Sequence, residues 1–204
     1  MTTILHINSS IRNTGSVSRQ LSTEFVSKWK AANPGDVVIE RDLGREPVPH
    51  LTEQMMGAFF TPADQHSPEQ ARTIALADAL VNELLQADVI VLGAPMYNFS
   101  ISSALKAWID HVTRAGVTFN YSENGPVGLV TRKKVYLFTA SGGVYSDGPA
   151  QAMNFQETYL RAVLGFIGLS DVSVVRAEGL AMGEPSVDAA LHEGRKAIDA
   201  LVAA

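Results

Sequence analysis

Three short segments hold residue types that can do chemistry. The first, Ser9-Ser10-Ile11-Arg12-Asn13-Thr14-Gly15-Ser16-Val17-Ser18, sets hydroxyls at Ser10, Ser16 and Ser18 around a glycine. Hydroxyls and free amides at the start of a helix cradle a phosphate, aided by the positive end of the helix dipole. Gly15 lets the backbone turn and approach an anion closely. One serine would be explained as a helix N-cap; several with a glycine favour an anion site. The second segment, Ala94-Pro95-Met96-Tyr97-Asn98-Phe99-Ser100, surrounds an amide with a thioether and two aromatics. Such a set suits the face of a flat ligand and its polar edge. The third, Thr139-Ala140-Ser141-Gly142-Gly143-Val144-Tyr145, adds paired glycines, which permit close backbone contact with a planar ligand, and another aromatic. Taken singly, the second reads as packing at a strand end and the third as a flexible turn. Together on one edge they describe a ligand cleft. There is no G-x-G-x-x-G and no Gly-Lys-Ser/Thr loop, so a Rossmann nicotinamide site and a nucleotide triphosphatase both lose ground. A phosphate monoester fits better.

Composition narrows the chemistry. The 204 residues include no cysteine, which excludes a thiolate nucleophile, a zinc–cysteine cluster, an iron–sulfur centre and dithiol redox chemistry. Redox work would have to be carried by a bound cofactor. A net charge of −5 argues against a phosphate polymer, so no nucleic acid partner is expected. No apolar run approaches the ~18 residues of a membrane span. The opening MTTILHINSS does not read as a secretory signal, and a cytoplasmic address is expected. His6, His50, His66, His111 and His192 have no metal-ligand spacing, so no metal is expected. Asp110 and Arg114 read as a surface pair on one helix, and Glu184–Lys196 as the solvated face of another.

For the three loops to share an edge, the chain between them must be a sheet with helices. Thr3–Ile7, Val37–Asp42, Val89–Ala94, Lys134–Ala140 and Val172–Ala177 are β-rich runs. Helical periodicity fills Val17–Ala32, Ala71–Leu85, Ser102–Val112, Ala152–Phe166 and Val187–Val202. This alternation predicts an α/β fold: a doubly wound five-stranded parallel sheet with right-handed crossovers and helices on both faces. Its ligand would lie outside the strand C-termini. A single domain over 1–204 is expected. Five strand–helix units need only about 125–150 residues. The surplus falls mainly at 44–67 and 114–132, with more at Ser141–Gln151. The first two excursions carry Phe59-Phe60 and Phe119-Asn120-Tyr121.

With these pieces together, the sequence resembles the flavodoxin-like FMN-dependent NADH:quinone oxidoreductases, the azoreductase family. The resemblance runs from Ile4 to the last helix. It is carried by Ser9–Arg12 with Ser16-Val17-Ser18, by Ala94–Phe99, by Leu105-Lys106-Ala107-Trp108-Ile109-Asp110, by Gly116–Tyr121 leading to Gly125–Leu129, and by Ser141-Gly142-Gly143. It implies FMN as cofactor, with Ser10, Ser16, Val17 and Ser18 on the phosphate and ribityl chain. Met96, Tyr97, Asn98 and Phe99 would line the isoalloxazine, and Ala140, Ser141, Gly142 and Gly143 its other edge. Phe60, Phe119, Tyr121 and Tyr145 would line the substrate pocket, though the first three equally suit core or dimer contacts. The implied reaction is ping-pong: hydride from NADH or NADPH passes through flavin N5, and no side chain acts as nucleophile. Acceptors would be quinones and azo or nitro aromatics, and the working unit a homodimer. Competing readings are an NAD(P)H:FMN reductase, a flavodoxin-type electron carrier, and an α/β protein that keeps the fold without cofactor. The carrier needs a strongly charged docking face, and −5 is only moderately acidic.

Overall fold

A computed structural model describes residues 1–203. The chain runs β1 (Thr3–Asn8), α1 (Val17–Ala32), β2 (Val37–Asp42), α2 (Glu53–Phe59), α3 (Pro68–Gln86), β3 (Val89–Pro95), α4 (Ser103–Val112), β4 (Phe119–Ser122), β5 (Gly125–Gly128), β6 (Lys134–Ala140), α5 (Phe155–Ile167), β7 (Asp171–Ala177) and α6 (Glu184–Val202). Five of the strands form one parallel sheet in the order β2-β1-β3-β6-β7. This is the expected doubly wound architecture.

Period-two alternation decides which face each strand residue meets. Leu5 and Ile7, Ile90 and Leu92, and Val135 and Leu137 point to one face, where they pack with Leu80 and Leu84 of α3, Leu105 and Trp108 of α4, and Leu160 and Leu164 of α5. Ile4, Val89, Val91, Tyr136 and Phe138 point to the other, against Leu21, Phe25 and Val26 of α1 and Ile198 of α6. Because both faces are covered, β1, β3 and β6 are near-continuous apolar runs. A polar residue stands in the middle of β1. His6 in β1 is buried on the α1 side, where its Nδ1 lies 2.9 Å from Glu40 of β2 and its Nε2 lies 3.0 Å from the Ser22 hydroxyl of α1.

The chain leaves β1 toward the α1 face and β3 toward the α4 face. That reversal opens a crevice at the carboxyl ends of these two neighbours.

Boundaries differ from the sequence reading where polar turns begin helices. α3 starts at Pro68, not Ala71, because Ser67 and Gln70 form a capping box around an exposed first turn that carries no apolar period. α5 starts at Phe155, not Ala152; Gln151–Met153 is a separate 3₁₀ turn, and the Asn154 side chain caps the helix. The excursions acquire structure of their own. Residues 44–67 contain α2, and 114–132 contain the antiparallel hairpin β4–β5. The expected Asp110–Arg114 pair does not form. α4 ends at Val112, so Arg114 leaves the helix, pairs with Asp78 at 3.0 Å and lies over the Phe59 ring at 4.1 Å, while Asp110 takes Lys106 at 2.6 Å.

Candidate functional site

The loop after β1 is fixed at both ends. Ser9 donates from its N–H and its hydroxyl to the Gly93 carbonyl of β3, at 3.0 and 2.9 Å, and its own carbonyl accepts from Ser102 Oγ at 2.9 Å. Ser16 caps α1, accepting from the Arg19 N–H at 3.5 Å. The first helical hydrogen bond runs from Gln20 N–H to the Ser16 carbonyl. The amides of Val17 and Ser18 lie ahead of it, free of helical partners, at the positive end of the dipole. Beneath the loop, Asp42 at the end of β2 binds Arg19 through both oxygens, at 2.5 and 2.9 Å, and accepts from the N–H groups of Gly44 and Arg45. Burial works against ionisation of Asp42, but the Arg19 guanidinium and those N–H groups outweigh it and hold the carboxyl below its ordinary range.

The loop after β3 turns sharply. Tyr97 and Ser100 exchange hydrogen bonds of 2.8 and 3.0 Å, and Asn98 and Phe99 between them both have positive φ, 48° and 70°. This is the geometry of a two-residue hairpin turn, which usually takes Asn-Gly. The Met96 N–H donates to the Ala140 carbonyl at 2.7 Å and ties the second loop to the third. In the third loop the Ser141 hydroxyl donates to the Gly143 carbonyl at 2.9 Å. That loop is zipped to the one after β7: Ala181 N–H donates to the Gly142 carbonyl and Leu180 N–H to the Ser141 carbonyl.

These loops enclose a cavity of about 400 Å³, within the ~300–1,000 Å³ typical of small-molecule sites. Of the sequence-derived residues, Ser10, Ser16, Val17, Met96, Tyr97, Ala140, Ser141 and Gly142 line it. Ser18 stands behind Ser16, with its buried hydroxyl 3.4 Å from that of Ser16. Asn98 faces a neighbouring cavity shared with Tyr97 and Ile101. Phe99 lies beside the cleft, edge-on to Tyr145 at 6.1 Å. Gly143 supports the loop from outside the lining, and Tyr145 borders a polar depression with Asn154 and Arg176. Phe60, Phe119 and Tyr121 are brought together elsewhere, in a separate cavity of about 310 Å³ with Met56, Phe59 and Arg114. The Phe119 ring packs inward on Phe166 at 4.5 Å. Phe60 and Tyr121 remain 74% and 71% exposed.

Sequence reasoning missed Arg12, Leu180, Ala181 and Val187, which also line the main cavity. Arg12 stood in the first loop, and among the described residues it is the one charged side chain of the lining. Leu180 and Ala181 lie in the loop after β7 and Val187 in the first turn of α6, so the end of the last strand at the same edge was the signal. The cavity thus has a polar, cationic end at the α1 N-terminus and an apolar, aromatic end between the second and third loops.

A doubly wound sheet with an anion-ready loop at its switch point defines a class that binds a phosphorylated planar ligand. Residues 2–202 match the model of the family described as flavodoxin-like fold. A protein of Herminiimonas arsenicoxydans named FMN-dependent NADH:quinone oxidoreductase is 61% identical over the full length of both chains. FMN-dependent NADH:quinone oxidoreductase 3 of Pseudomonas aeruginosa is 50% identical, covering 96% of this chain and 91% of its own. Among solved structures, azoreductase from Bacillus anthracis aligns with a TM-score of 0.91 at 33% identity over 99% of each chain. An FMN-dependent NADH-azoreductase from the same species, in complex with FMN, aligns at 0.87 and 26% identity over 99% of this chain and all of its own. The chain belongs to the family of flavodoxin-like FMN-dependent NADH:quinone oxidoreductases.

Proposed function

We propose that the chain is an FMN-dependent NAD(P)H oxidoreductase that reduces quinones to hydroquinones and cleaves aromatic azo compounds to amines. The observation that carries this reading is the two-ended cavity at the carboxyl ends of β1 and β3. Its residues fit FMN. The phosphate suits the hydroxyls of Ser10 and Ser16, the amides of Val17 and Ser18 and the Arg12 cation. The ring system suits the slot between Met96 and Tyr97 on one side and Ala140, Ser141 and Gly142 on the other. Bound FMN would supply two-electron chemistry, accepting from NAD(P)H and delivering to the acceptor.

What the chain does is bind, orient and desolvate. Arg12, which lines the cavity, and the α1 dipole would neutralise the phosphate. Met96 and Pro95 exclude water from one wall, and the backbone of Ala140–Gly142 forms the other. The Met96–Ala140 hydrogen bond fixes the width between them. The Ser18 hydroxyl acts indirectly, by holding the Ser16 hydroxyl. Phe60 and Tyr121 would offer aromatic surface to a quinone or azo or nitro aromatic, and Phe99 and Tyr145 would border the cleft.

Exposed Phe60, Tyr121, Val117, Val127 and Leu129 support a homodimer, since scattered apolar exposure rarely gathers on two adjoining excursions of a monomer. The sheet draws strands from residues 3 to 177, which supports one domain over 1–204 with the excursions as its appendages. A nicotinamide donor supports a cytoplasmic address. The decisive experiment is a visible spectrum of the purified chain followed by NADH titration under argon. Flavin bands bleached by NADH and restored by a quinone are expected. A colourless chain that takes up no added FMN refutes the reading. Sedimentation over a concentration range tests the dimer.

A further inference from the structure

The polar contacts of Arg19 are spent on the backbone of the first loop and on one carboxylate. Arg19 lies in the first turn of α1, yet its guanidinium reaches back under the loop. One terminal nitrogen donates to the Ser10 carbonyl at 3.1 Å and to Asp42 at 2.9 Å; the other donates to Asp42 at 2.5 Å. Two planar, parallel bonds to a carboxylate fix the orientation of the fork, which a lysine cannot reproduce. Asp42 is fixed in turn by the N–H groups of Gly44 and Arg45. Beside the same carbonyl and close to the Arg19 fork sits Gly44, where a Cβ would lie 2.1 Å from the Ser10 oxygen and 3.3 Å from Arg19 Nη2. The Leu43 N–H donates to the Asn8 carbonyl at 2.8 Å and keeps the β2 end pressed against the loop. The Arg19 Nε is buried with no partner among the described residues, an unfavourable arrangement for a side chain serving stability alone. The Ser10 carbonyl is therefore held by the Arg19 fork against the backbone at Gly44, its hydroxyl accepts from the Arg12 N–H at 3.2 Å, and Ser10 lines the cavity.

We propose that Arg19, Asp42 and Gly44 form a positioning clamp that holds the Ser10 carbonyl and so shapes the loop that receives the FMN phosphate. The proposal rests on the FMN reading and deepens it. Arg19 does not touch the ligand; it sets the direction of the Ser10 hydroxyl. The clamp acts on the phosphate end alone, because the ring slot is built from β3, β6 and β7. It therefore tunes discrimination between a flavin with a phosphate and one without.

The test titrates the full chain, freed of flavin, with FMN and separately with riboflavin, following quenching of flavin fluorescence. Wild type, Arg19→Lys, Asp42→Asn and Gly44→Ala are compared, with melting temperature measured for each. Arg19→Lys and Asp42→Asn are expected to weaken FMN about tenfold, the factor of one misdirected charge-assisted hydrogen bond, and to change riboflavin less than about twofold. Gly44→Ala would set a Cβ 2.1 Å from the Ser10 oxygen and 3.3 Å from Arg19 Nη2, so it should displace the carbonyl and weaken FMN likewise while leaving both charged side chains unsubstituted. Equal loss of both flavins, or loss of FMN that only tracks melting temperature, overturns the clamp and leaves the FMN reading standing. Unchanged FMN affinity in folded Arg19→Lys and Asp42→Asn also overturns it. A wild-type chain that binds neither flavin overturns both.

Discussion

Replacing Phe99 by glycine and, separately, by alanine tests whether the turn in the second loop is strained. Phe99 has φ of 70° and Asn98 has φ of 48°, held by the exchanged hydrogen bonds of Tyr97 and Ser100. A residue with a Cβ in the left-handed region costs roughly 1–2 kcal/mol, and glycine does not. Glycine loses about 0.4–1 kcal/mol through the greater freedom of the unfolded chain. Both variants lose the Phe99 ring and its edge contact with Tyr145, so that loss cancels between them. The balance leaves the glycine variant about 1 kcal/mol more stable than the alanine variant. At an ordinary position with negative φ the order is reversed, alanine being favoured by roughly 0.5–1 kcal/mol. The sign is thus diagnostic. For a chain of 204 residues, 1 kcal/mol corresponds to ~2–4 °C in melting temperature. Urea unfolding midpoints at equal m-value, with thermal melts beside them, read the difference directly. An alanine variant as stable as the glycine one, or more so, refutes the strained turn.

Two further outcomes are expected. Tyr121→Ala removes a ring that is 71% exposed and touches Phe119 edge-on at 5.4 Å, so unfolding of the dilute chain should move by no more than about 0.5 kcal/mol, while steady-state kinetics show KM for a quinone rising several-fold. Unchanged KM removes Tyr121 from the acceptor pocket. Glu157 is opposed by burial, but its pairs with Arg176 and Arg161 win and hold the carboxyl below its ordinary 4.5. A lowered folded pKa gives stability that is full above 4.5 and lost as pH falls through the folded value. Glu157→Gln should therefore be less stable than wild type at pH 7 and converge with it in acid; a constant gap in urea unfolding across that range contradicts the pairing.

The sheet was legible because burial on both faces writes long apolar runs, as in Val89–Leu92 and Val135–Phe138, which no surface element imitates. The first loop was legible as a helix start on the cleft because serines cap helices, and Ser16 does cap α1 while Ser10 and Ser16 line the cavity. The hairpin β4–β5 was not, since two four-residue strands of mixed exposure have no period to detect. Leu180, Ala181 and Val187 were missed for a different reason. They bring only shape to the cavity, and for Leu180 and Ala181 that shape comes from the register that zips their loop to Ser141–Gly143. Arg19 was missed because its partner, Asp42, lies one strand away in the fold and 23 residues away in the chain. Phe119 and Tyr121 sit two apart on one strand, but only the structure shows that one ring turns into the core and the other out.

Glu40, His6 and Ser22 reproduce the order of contacts in a hydrolytic triad: acid to Nδ1, Nε2 to hydroxyl. Yet the Ser22 hydroxyl is closed off by α1, has the Asn8 Oδ1 and the Arg19 carbonyl each 3.1 Å away as acceptors for its one hydrogen, and has no exposed surface. No acyl group can reach it. The same arrangement that makes a nucleophile in an open cleft becomes a rivet between a strand and a helix when no substrate can enter. Constellation alone does not define an enzyme; access does.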